Sequence, residues 1–341
     1  DLALEADLIE EVARLYGYDR LPQAPLAGPM VPHAGAETDV RDRPLRQVLV
    51  DRGFREVITY SFVDPDIVSR LDPEAVPLAL ANPLSREQSV MRPDLFAGLL
   101  GTAAANQARQ SERLRLFELG RVFPRRDGGI EQREALGGLL TGPVDPPHWA
   151  GERRAVDFFD AKGQVEAVLR RAGVARAAFE AAAHPALHPG QAARITIDGE
   201  EAGWLGTLHP ALADPLEVAP GAVLFQLDLE VVRARAGEVP QYRAVPRLPV
   251  THRDLAVLVP ESVTAGRLEE AVAGPSGGLD LMDWRIFDVY TGKGVPEGYK
   301  SLGLALTLQA REETPTDEQI EEAVAAIVQR LSEQVGAELR S

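Results

Sequence analysis

Two proline-rich stretches limit how this chain can fold, because they divide it into separate parts. Their prolines are Pro22, Pro25, Pro29 and Pro32 in the first stretch and Pro240, Pro246 and Pro249 in the second. Proline has a fixed φ angle and no backbone N–H, so neither a helix nor a central strand continues through such a stretch. We therefore predict the end of a truncated upstream domain at 1–22, a large middle domain at 39–237 and a C-terminal domain at 247–341.

The composition of the 341 residues excludes several classes of protein. The absence of cysteine rules out disulfides, thiol nucleophiles and thiolate metal centres. No run of about 18 apolar residues and no signal-peptide pattern are present, so we expect no membrane association and a cytoplasmic location. The net charge of −16 argues against broad, sequence-independent binding of nucleic acid, although it leaves room for a local basic patch. Because the sequence begins without Met, we expect a fragment of a longer protein.

The first part of the chain predicts one amphipathic helix with an acidic face. Apolar residues recur at helical spacing, and Gly17 is suited to end the helix. Asp7, Glu10 and Glu11 fall on one face, and Asp1 stands just before or within the first turn. Four carboxylates so close together suit a hard cation such as Mg²⁺. A solvated acidic face near the positive end of the helix is the alternative, and spacing alone favours it.

The middle part predicts an α+β domain with a largely antiparallel sheet. Helices are predicted at 44–53, 95–111 and 158–172, and strands at 56–62, 114–123, 136–141, 193–197, 201–208 and 223–229. Several of these strands follow one another with short turns between them. That order is typical of antiparallel pairing and differs from alternating βαβ units.

The middle part contains only weak candidates for catalytic or metal-binding groups. His184 and His188 have the four-residue spacing of zinc ligands on a helix, but a proline follows each of them. We therefore interpret them, and the third His-Pro step at His209, as turn or capping residues. Glu118 lies between apolar neighbours in a predicted strand. It is either the polar face of that strand, which we favour, or a paired inward carboxylate.

The C-terminal part predicts the order βαββαβ. A strand from Arg253 ends at Pro260, and Thr264 caps a first helix. Two strands at 279–290 and 300–310 flank a turn rich in glycine and proline. Thr316 begins a second helix, Gly336 ends it, and a short strand follows at 337–340. This is the ferredoxin-like unit, a common scaffold for reading RNA, although a fold alone does not fix a function.

Motifs in all three parts resemble one family. Arg-Asp-Leu-Ala at 253–256, Phe-Asp-Val-Tyr at 287–290, Gly-Lys-Gly at 292–294 and Lys-Ser-Leu at 300–302 resemble the ferredoxin-fold anticodon-binding domain that ends bacterial phenylalanyl-tRNA synthetase β subunits. Tyr-Ser-Phe at 60–62, Asn-Pro-Leu at 82–84, Phe-Glu-Leu-Gly-Arg-Val-Phe at 117–123 and Leu-His-Pro-Gly at 187–190 resemble their catalytic-like domain, which has a class II synthetase fold. The helix sequence at 5–14 resembles the end of the preceding small domain. The resemblance covers essentially the whole chain.

The resemblance implies a subunit of an (αβ)₂ heterotetramer that joins phenylalanine to tRNA(Phe) with ATP and Mg²⁺. The α subunit of that family carries the active site and binds ATP, whereas the β subunit's catalytic-like domain has lost the chemistry. This sequence contains no glycine-rich strand–helix segment ending in an arginine that could hold ATP. We therefore expect no catalytic residue in this chain and no aminoacylation by the chain alone.

The resemblance also implies a Mg²⁺ ion shared with the α subunit. The family places its ligands on an Asp, a second Asp six residues on, and a Glu-Glu pair three and four residues further. Asp1, Asp7, Glu10 and Glu11 match this pattern, which reverses the preference for a solvated face.

Binding of tRNA by the C-terminal part must depend on a local patch. Residues 248–341 contain eight Lys and Arg against sixteen Asp and Glu, a net charge of −8. The candidate contacts are Arg253, Phe287, Tyr290, Lys293 and Lys300, since RNA-binding sheets stack unpaired bases on aromatic rings. Because strand positions alternate between faces, Phe287 or Tyr290 could instead belong to the core, so we expect only part of this set to touch RNA.

Two other functions remain open from the sequence. One is a purely structural, class II-like scaffold subunit that does not contact RNA. The other is a stand-alone RNA-binding protein, which the long catalytic-like domain disfavours.

Overall fold

The computed structural model describes residues 2–22, 28, 40–126, 129–150, 153–236, 242, 248–274, 278–310 and 313–340. The chain divides into two compact units, Asp1–Asp39 and Val40–Ser341. Asp1, the first member of the predicted metal set, lies outside the described residues. Within those residues, no helix combines the length and the apolar character needed to cross a membrane.

The first unit contains helix α1, Glu5–Tyr16, followed by a 3₁₀ turn at Tyr18–Arg20. The helix ends at Gly17, whose φ of +98° is rarely adopted by residues with a side chain. The Gly17 N–H donates to the carbonyl oxygen of Ala13 at 2.9 Å. The predicted C-terminal cap is therefore confirmed.

The second unit combines helices with antiparallel strands. Its helices are Asp42–Asp51 (α2), Pro65–Leu71 (α3), Phe96–Gln107 (α4), Phe158–Ala172 (α5), Pro210–Ala213 (α6), Leu229–Arg235 (α7), Ala265–Val272 (α8) and Asp317–Val335 (α9). Its strands are Arg55–Glu56 (β1), Phe62–Val63 (β2), Val90–Met91 (β3), Leu114–Val122 (β4), Arg125–Arg126 (β5), Gly129–Ile130 (β6), Arg133–Thr141 (β7), Ala178–Ala181 (β8), Leu187–Ile197 (β9), Glu200–Leu208 (β10), Val223–Asp228 (β11), Thr251–Pro260 (β12), Asp280–Tyr290 (β13), Tyr299–Gln309 (β14) and Glu338–Leu339 (β15).

A seven-stranded sheet forms the larger part of this unit, in the order β1-β4-β7-β11-β10-β9-β8. Every neighbouring pair is antiparallel except β1 and β4. Leucines of α4 pack with Leu116 and Leu139 on one face, and residues of α2 and α5 pack with Phe117 and Leu140 on the other. The predicted α+β class with a largely antiparallel sheet is confirmed.

Close packing in this sheet depends on a glycine in β7. A Cβ on Gly138 would overlap the ring of Phe225, which is fully buried between the sheet and α5. The Phe225 ring therefore occupies the space that a side chain at position 138 would need.

The strand predicted at 56–62 is only partly correct. Arg55 and Glu56 pair with β4, and Phe62 and Val63 pair with β3, but residues 57–61 belong to no strand. The β-branched and aromatic sequence therefore predicted the two ends of the strand and not its centre, where Thr59 is bonded to side chains, as described below.

The C-terminal sheet has the order β13-β14-β12-β15, with all neighbours antiparallel. Helices α8 and α9 cover one face and bury a core around Val257, Leu304 and Ile327. The predicted ferredoxin-like order is confirmed. The predicted capping box is also present, because the Gln319 N–H donates to Thr316 Oγ1 at 3.3 Å and the Thr316 N–H donates to Gln319 Oε1 at 2.9 Å.

Candidate functional site

Among the described residues, no helix covers the face of the C-terminal sheet opposite α8 and α9. The pairing register places the following residues on this open face: Ser301, Gly303, Ala305 and Thr307 of β14, His252, Asp254, Ala256 and Leu258 of β12, and Asp283, Arg285, Asp288 and Tyr290 of β13. A contact across the face supports this assignment, since Thr307 Oγ1 lies 3.2 Å from His252 Nδ1. We call this surface the open face.

A bulge in β13 places both candidate aromatic residues on the open face. Ile286 pairs with Leu304 and Asp288 pairs with Gly303, so Phe287 is an extra residue between them. Its ring lies over Gly303, where a Cβ would come within 2.8 Å of it. Phe287 is 54% exposed and Tyr290 is 40% exposed. The alternative, that alternation of faces places one of the two rings in the core, is therefore wrong.

The Tyr290 ring is held through its hydroxyl and by a guanidinium that lies over the ring. Its hydroxyl donates to the carbonyl oxygen of Lys293 at 3.3 Å. The Arg340 guanidinium lies 5.6 Å from the ring centroid, and its Nη1 donates to Ser301 Oγ at 3.2 Å. The Arg340 N–H donates to the carbonyl oxygen of Ala256 at 2.8 Å, which fixes the end of the chain to β12. A phenol ring and a guanidinium together form a surface on which unpaired bases can stack.

The three candidate cations lie in different places. Lys293 is exposed in the turn after Tyr290, and its ammonium has no carboxylate partner among the described residues. Arg253 pairs in register with Leu306, so its side chain leaves the strand on the helix-covered side of the sheet. The side chain is exposed there and donates to the carbonyl oxygen of His252. Lys300 is half-buried and donates to the carbonyl oxygens of Glu261 and Val263 at 2.9 and 2.7 Å. Its ammonium therefore links the loop between β12 and α8 to strand β14.

Two cations of the open face were missed from the sequence. Arg285 pairs with Ala305, and Arg340 follows β15. Both were visible as basic residues in predicted strands. Their face could not be assigned, however, because it depends on the register of Arg285 against β14 and on the pairing of Arg340 with β12. The acidic residues Asp254, Asp283 and Asp288 share this face, so its charge is mixed and not uniformly basic.

The acidic face of α1 is partly used by the helix itself. Asp7 Oδ2 accepts hydrogen bonds from the N–H groups of Ala3 and Leu4 at 2.9 and 2.8 Å, so it caps the first turn. Glu11 forms an ion pair with Arg14 at 2.5 Å, and Glu10 is exposed. Among the described residues, no three Asp, Glu, His or Cys side chains are close enough to hold a metal. The described carboxylates alone therefore do not fit a closed cation site.

Glu118 is a buried ion-pair partner, and the favoured interpretation as the polar face of a strand is wrong. Arg92 Nη1 lies 2.7 Å from Glu118 Oε1, and both side chains are only 3% exposed. The Thr59 hydroxyl donates to Glu118 Oε2 at 2.7 Å and accepts from Arg92 Nη1 at 3.0 Å. We call these three residues the buried clasp.

The three His-Pro steps have the predicted turn and capping roles. Nδ1 of His184, His188 and His209 accepts the N–H of the residue two positions on, at 3.2, 3.0 and 3.2 Å. His184 also packs between Phe96 and Trp204, with ring centroids at 5.9 and 5.0 Å, and burial lowers its pKa. These side chains are thereby committed to turns and packing.

A polar cleft of about 380 Å³ lies beside His184 and Trp204. Its arginines are engaged within the protein: Arg133 Nε lies 2.7 Å from Asp228 Oδ2, Arg126 Nη2 lies 3.7 Å from the same carboxylate, and Arg125 donates to the carbonyl oxygen of Val76. Asp94 also lines the cleft, and burial raises its pKa to about 6. These guanidinium groups are therefore already committed to protein partners.

Comparisons with known proteins match most of the chain. The model for the phenylalanyl-tRNA synthetase β chain CLM domain matches residues 21–229, and the model for the ferredoxin-fold anticodon-binding domain matches residues 246–340. The phenylalanine–tRNA ligase β subunits of Methylococcus capsulatus and Nitrosococcus oceani are 45% and 42% identical over 340 and 342 residues. Each match covers 100% of this chain and 43% of the relative, so the chain spans less than half the length of these relatives. Among solved structures, a pyrrolysyl-tRNA synthetase from Desulfitobacterium hafniense gives a TM-score of 0.43 at 16% identity, over 56% of this chain and 64% of that one.

Proposed function

This chain belongs to the family of phenylalanine–tRNA ligase β subunits, which confirms the resemblance seen in its sequence, and from this premise we propose its role. It acts as a non-catalytic part of the ligase that supports the α subunit and binds tRNA(Phe) during ATP-dependent aminoacylation. ATP is bound by the α subunit and not by this chain, and the complex is an (αβ)₂ heterotetramer in the cytoplasm.

The observation that carries tRNA binding is the paired surface of Tyr290 and Arg340 beside Phe287. These three groups are on one exposed face, and two of them are aromatic rings. Stacking of an unpaired base on such a ring contributes about 1–3 kcal/mol. Because the C-terminal part has a net charge of −8, short-range contacts of this kind must supply the affinity that a basic field would otherwise give.

The test is tRNA(Phe) binding to the complex of this chain with an α subunit. Tyr290→Ala and Phe287→Ala should each weaken binding about 5- to 150-fold, the range expected for loss of one stacked base. Trp149→Ala is the matched control, since it removes an exposed aromatic ring that lies outside the C-terminal sheet. Unchanged affinity in both C-terminal variants would favour the alternative of a structural scaffold that does not contact RNA.

We propose that the α subunit docks against the exposed edge of the seven-stranded sheet. Ile58 and Tyr60, which follow edge strand β1, are 93% and 73% exposed. Adjacent large apolar side chains at an unpaired sheet edge are typical of a protein-binding surface. Ile58→Ser and Tyr60→Ser should each reduce co-purification with the α subunit, whereas Val76→Ser, which changes an exposed residue outside this segment, should not.

We further propose that Asp1, Asp7, Glu10 and Glu11 contribute to a Mg²⁺ site shared with the α subunit. Support comes from the exposed Glu10 and from the Asp7 oxygen that does not cap the helix. Carboxylate oxygens are suitable ligands for this ion, with the other ligands supplied by the α subunit and water. Glu10→Gln with Glu11→Gln should weaken α–β association when Mg²⁺ is present but not after chelation. Equal association of wild type and variant under both conditions would reject the site.

For the domain organisation, we propose the end of an upstream domain at 1–22, a catalytic-like domain at 39–237 and an anticodon-binding domain at 247–341. Support comes from the two sheets, which have separate hydrophobic clusters. Limited proteolysis should cut within 237–247 and release a folded C-terminal fragment. Uniform degradation of both parts would contradict this division.

A further inference from the structure

The segment 57–61 is held at every second residue. The Val57 N–H donates to the carbonyl oxygen of Phe117 at 2.8 Å, and the Ser61 carbonyl accepts the Arg92 N–H at 2.9 Å. Between them, Thr59 is held by side chains of the buried clasp. The two intervening residues, Ile58 and Tyr60, point into solvent. The segment thus presents an apolar ridge of two side chains above three anchored positions.

The clasp replaces the hydrogen bonds that a strand ladder would supply. Glu118 receives the Thr59 hydroxyl at 2.7 Å and the Thr59 N–H at 3.4 Å, one on each carboxylate oxygen. Arg92 bonds Thr59 and Glu118 through Nη1, and its Nε donates to the carbonyl oxygen of Arg121 at 2.8 Å. The central residue of the segment is therefore fixed by a charged pair that is itself anchored to β4.

Two glycines leave the space that this cluster needs. A Cβ on Gly98 of α4 would collide with the Thr59 hydroxyl, and a Cβ on Gly120 of β4 would collide with the Arg92 guanidinium. The backbone of α4 at Gly98 and the backbone of β4 at Gly120 therefore lie close against the clasp. A buried ion pair adds little net stability compared with apolar packing, but it strongly specifies geometry when its hydrogen bonds are satisfied.

We propose that the buried clasp of Thr59, Arg92 and Glu118 positions the ridge of Ile58 and Tyr60 for the α subunit. This inference rests on the proposed docking of the α subunit at this edge. Without the clasp, residues 57–61 would have to be ordered during docking. The apparent affinity would then be the intrinsic affinity multiplied by the fraction of time that the ridge is correctly placed. The three clasp residues are positioning residues, since only Ile58 and Tyr60 meet the partner.

The test compares two substitutions of one residue. Thr59→Val keeps the shape of the side chain but removes the hydroxyl, and Thr59→Ser keeps the hydroxyl but removes a methyl group. Affinity for the α subunit should fall about tenfold in Thr59→Val if the ridge is ordered a tenth of the time, and Thr59→Ser should restore most of it. The backbone amides of residues 57–61 in the free chain should exchange hydrogen faster in Thr59→Val alone, while the protection of β7 stays the same.

Three outcomes separate this inference from the docking proposal. If Ile58→Ser and Tyr60→Ser weaken binding but Thr59→Val does not, the docking surface is right and the clasp has no positioning role. If neither ridge variant weakens binding, the α subunit docks elsewhere and both proposals fail. If Thr59→Val and Thr59→Ser weaken binding equally, packing rather than the hydroxyl matters, and the clasp inference is overturned. Should Thr59→Val lose its overall fold, Thr59→Ala with the same exchange measurement replaces it.

Discussion

Arg92 Nη1 and Glu118 Oε1 lie 2.7 Å apart in a pair whose side chains are almost completely buried. Desolvating two charges costs several kcal/mol per ion, and this pair recovers the cost through its bonds to Thr59 and to the carbonyl oxygen of Arg121. The pair is therefore sensitive to the removal of one partner, since the other charge would remain buried without compensation.

Replacing Glu118 by Ala should destabilise the chain by about 3–5 kcal/mol, because the Arg92 guanidinium is left buried without its counter-charge. Arg92→Met combined with Glu118→Leu should recover most of this loss. Urea unfolding followed by circular dichroism measures both changes. Arg86→Ala, which removes an ion pair with Asp66 that is largely exposed, should cost less than about 1 kcal/mol. A similar cost in the two single variants would contradict the buried-pair argument.

The difference between what the sequence predicted and what it missed follows from distance along the chain. The Thr316–Gln319 box, the Gly336 cap and the His-Pro turns depend on residues within five positions, so their chemistry is visible locally. The partner of Glu118 lies 26 residues away, and no local pattern identifies Arg92 as that partner.

The open face illustrates the same limit within one strand. Strand β13 was predicted correctly, but the side of Phe287 changed because one extra residue is inserted before Asp288. A bulge without a diagnostic glycine of its own leaves little mark on the sequence. The small residue that accommodates the ring, Gly303, is on the neighbouring strand. The residue pattern therefore predicted the strand, but it did not predict which face of the sheet carries Phe287.

Gly138→Ala should destabilise the larger sheet by about 1–3 kcal/mol, because the added methyl overlaps the Phe225 ring and forces the core to shift. Gly163→Ala in α5 is the matched control, since an added Cβ there meets no atom within 4 Å. Alanine at that helical position should increase stability by about 0.5–1 kcal/mol. Thermal unfolding should show a loss of stability for Gly138→Ala and a gain for Gly163→Ala. A stabilising effect at position 138 would show that the core makes room for the methyl group at little cost.

Asp94 should make the chain less stable as the pH rises through the acid range. Burial raises its folded-state pKa to about 6, from the ordinary value of 3.8 for this carboxyl group, so the folded chain holds this proton more tightly than the unfolded chain. Its contribution is most favourable below the unfolded-state pKa and is lost as the pH rises through 6. The unfolding free energy of Asp94→Asn, taken relative to that of wild type, should therefore be about 1–3 kcal/mol more favourable at pH 8 than at pH 4. An equal difference at both pH values would contradict the raised pKa.

The tRNA contact of the C-terminal sheet should depend on Arg340 through both its charge and its flat shape. Arg340→Ala removes the guanidinium beside Tyr290, so binding of tRNA(Phe) to the α–β complex should weaken. The slope of log affinity against log salt concentration should become shallower by about one, the value for one phosphate contact. Arg340→Lys keeps the charge but loses the planar group, so it should preserve the salt slope and still weaken binding. Lys293→Ala should reduce the slope in the same way, because that ammonium is exposed beside the same ring.

Two cations away from the open face provide the controls for this salt titration. Arg267, on α8, donates to the carbonyl oxygen of Gln334, so Arg267→Ala should leave tRNA affinity nearly unchanged. Lys300→Ala should lower the stability of the C-terminal domain by about 1–2 kcal/mol, since two carbonyls lose their donor, with little effect on the salt slope. If Arg267→Ala reduces affinity as much as Arg340→Ala does, RNA contacts the helix-covered side instead. If none of the four positions affects binding, the C-terminal sheet does not contact tRNA, and the structural scaffold becomes the better account of this chain.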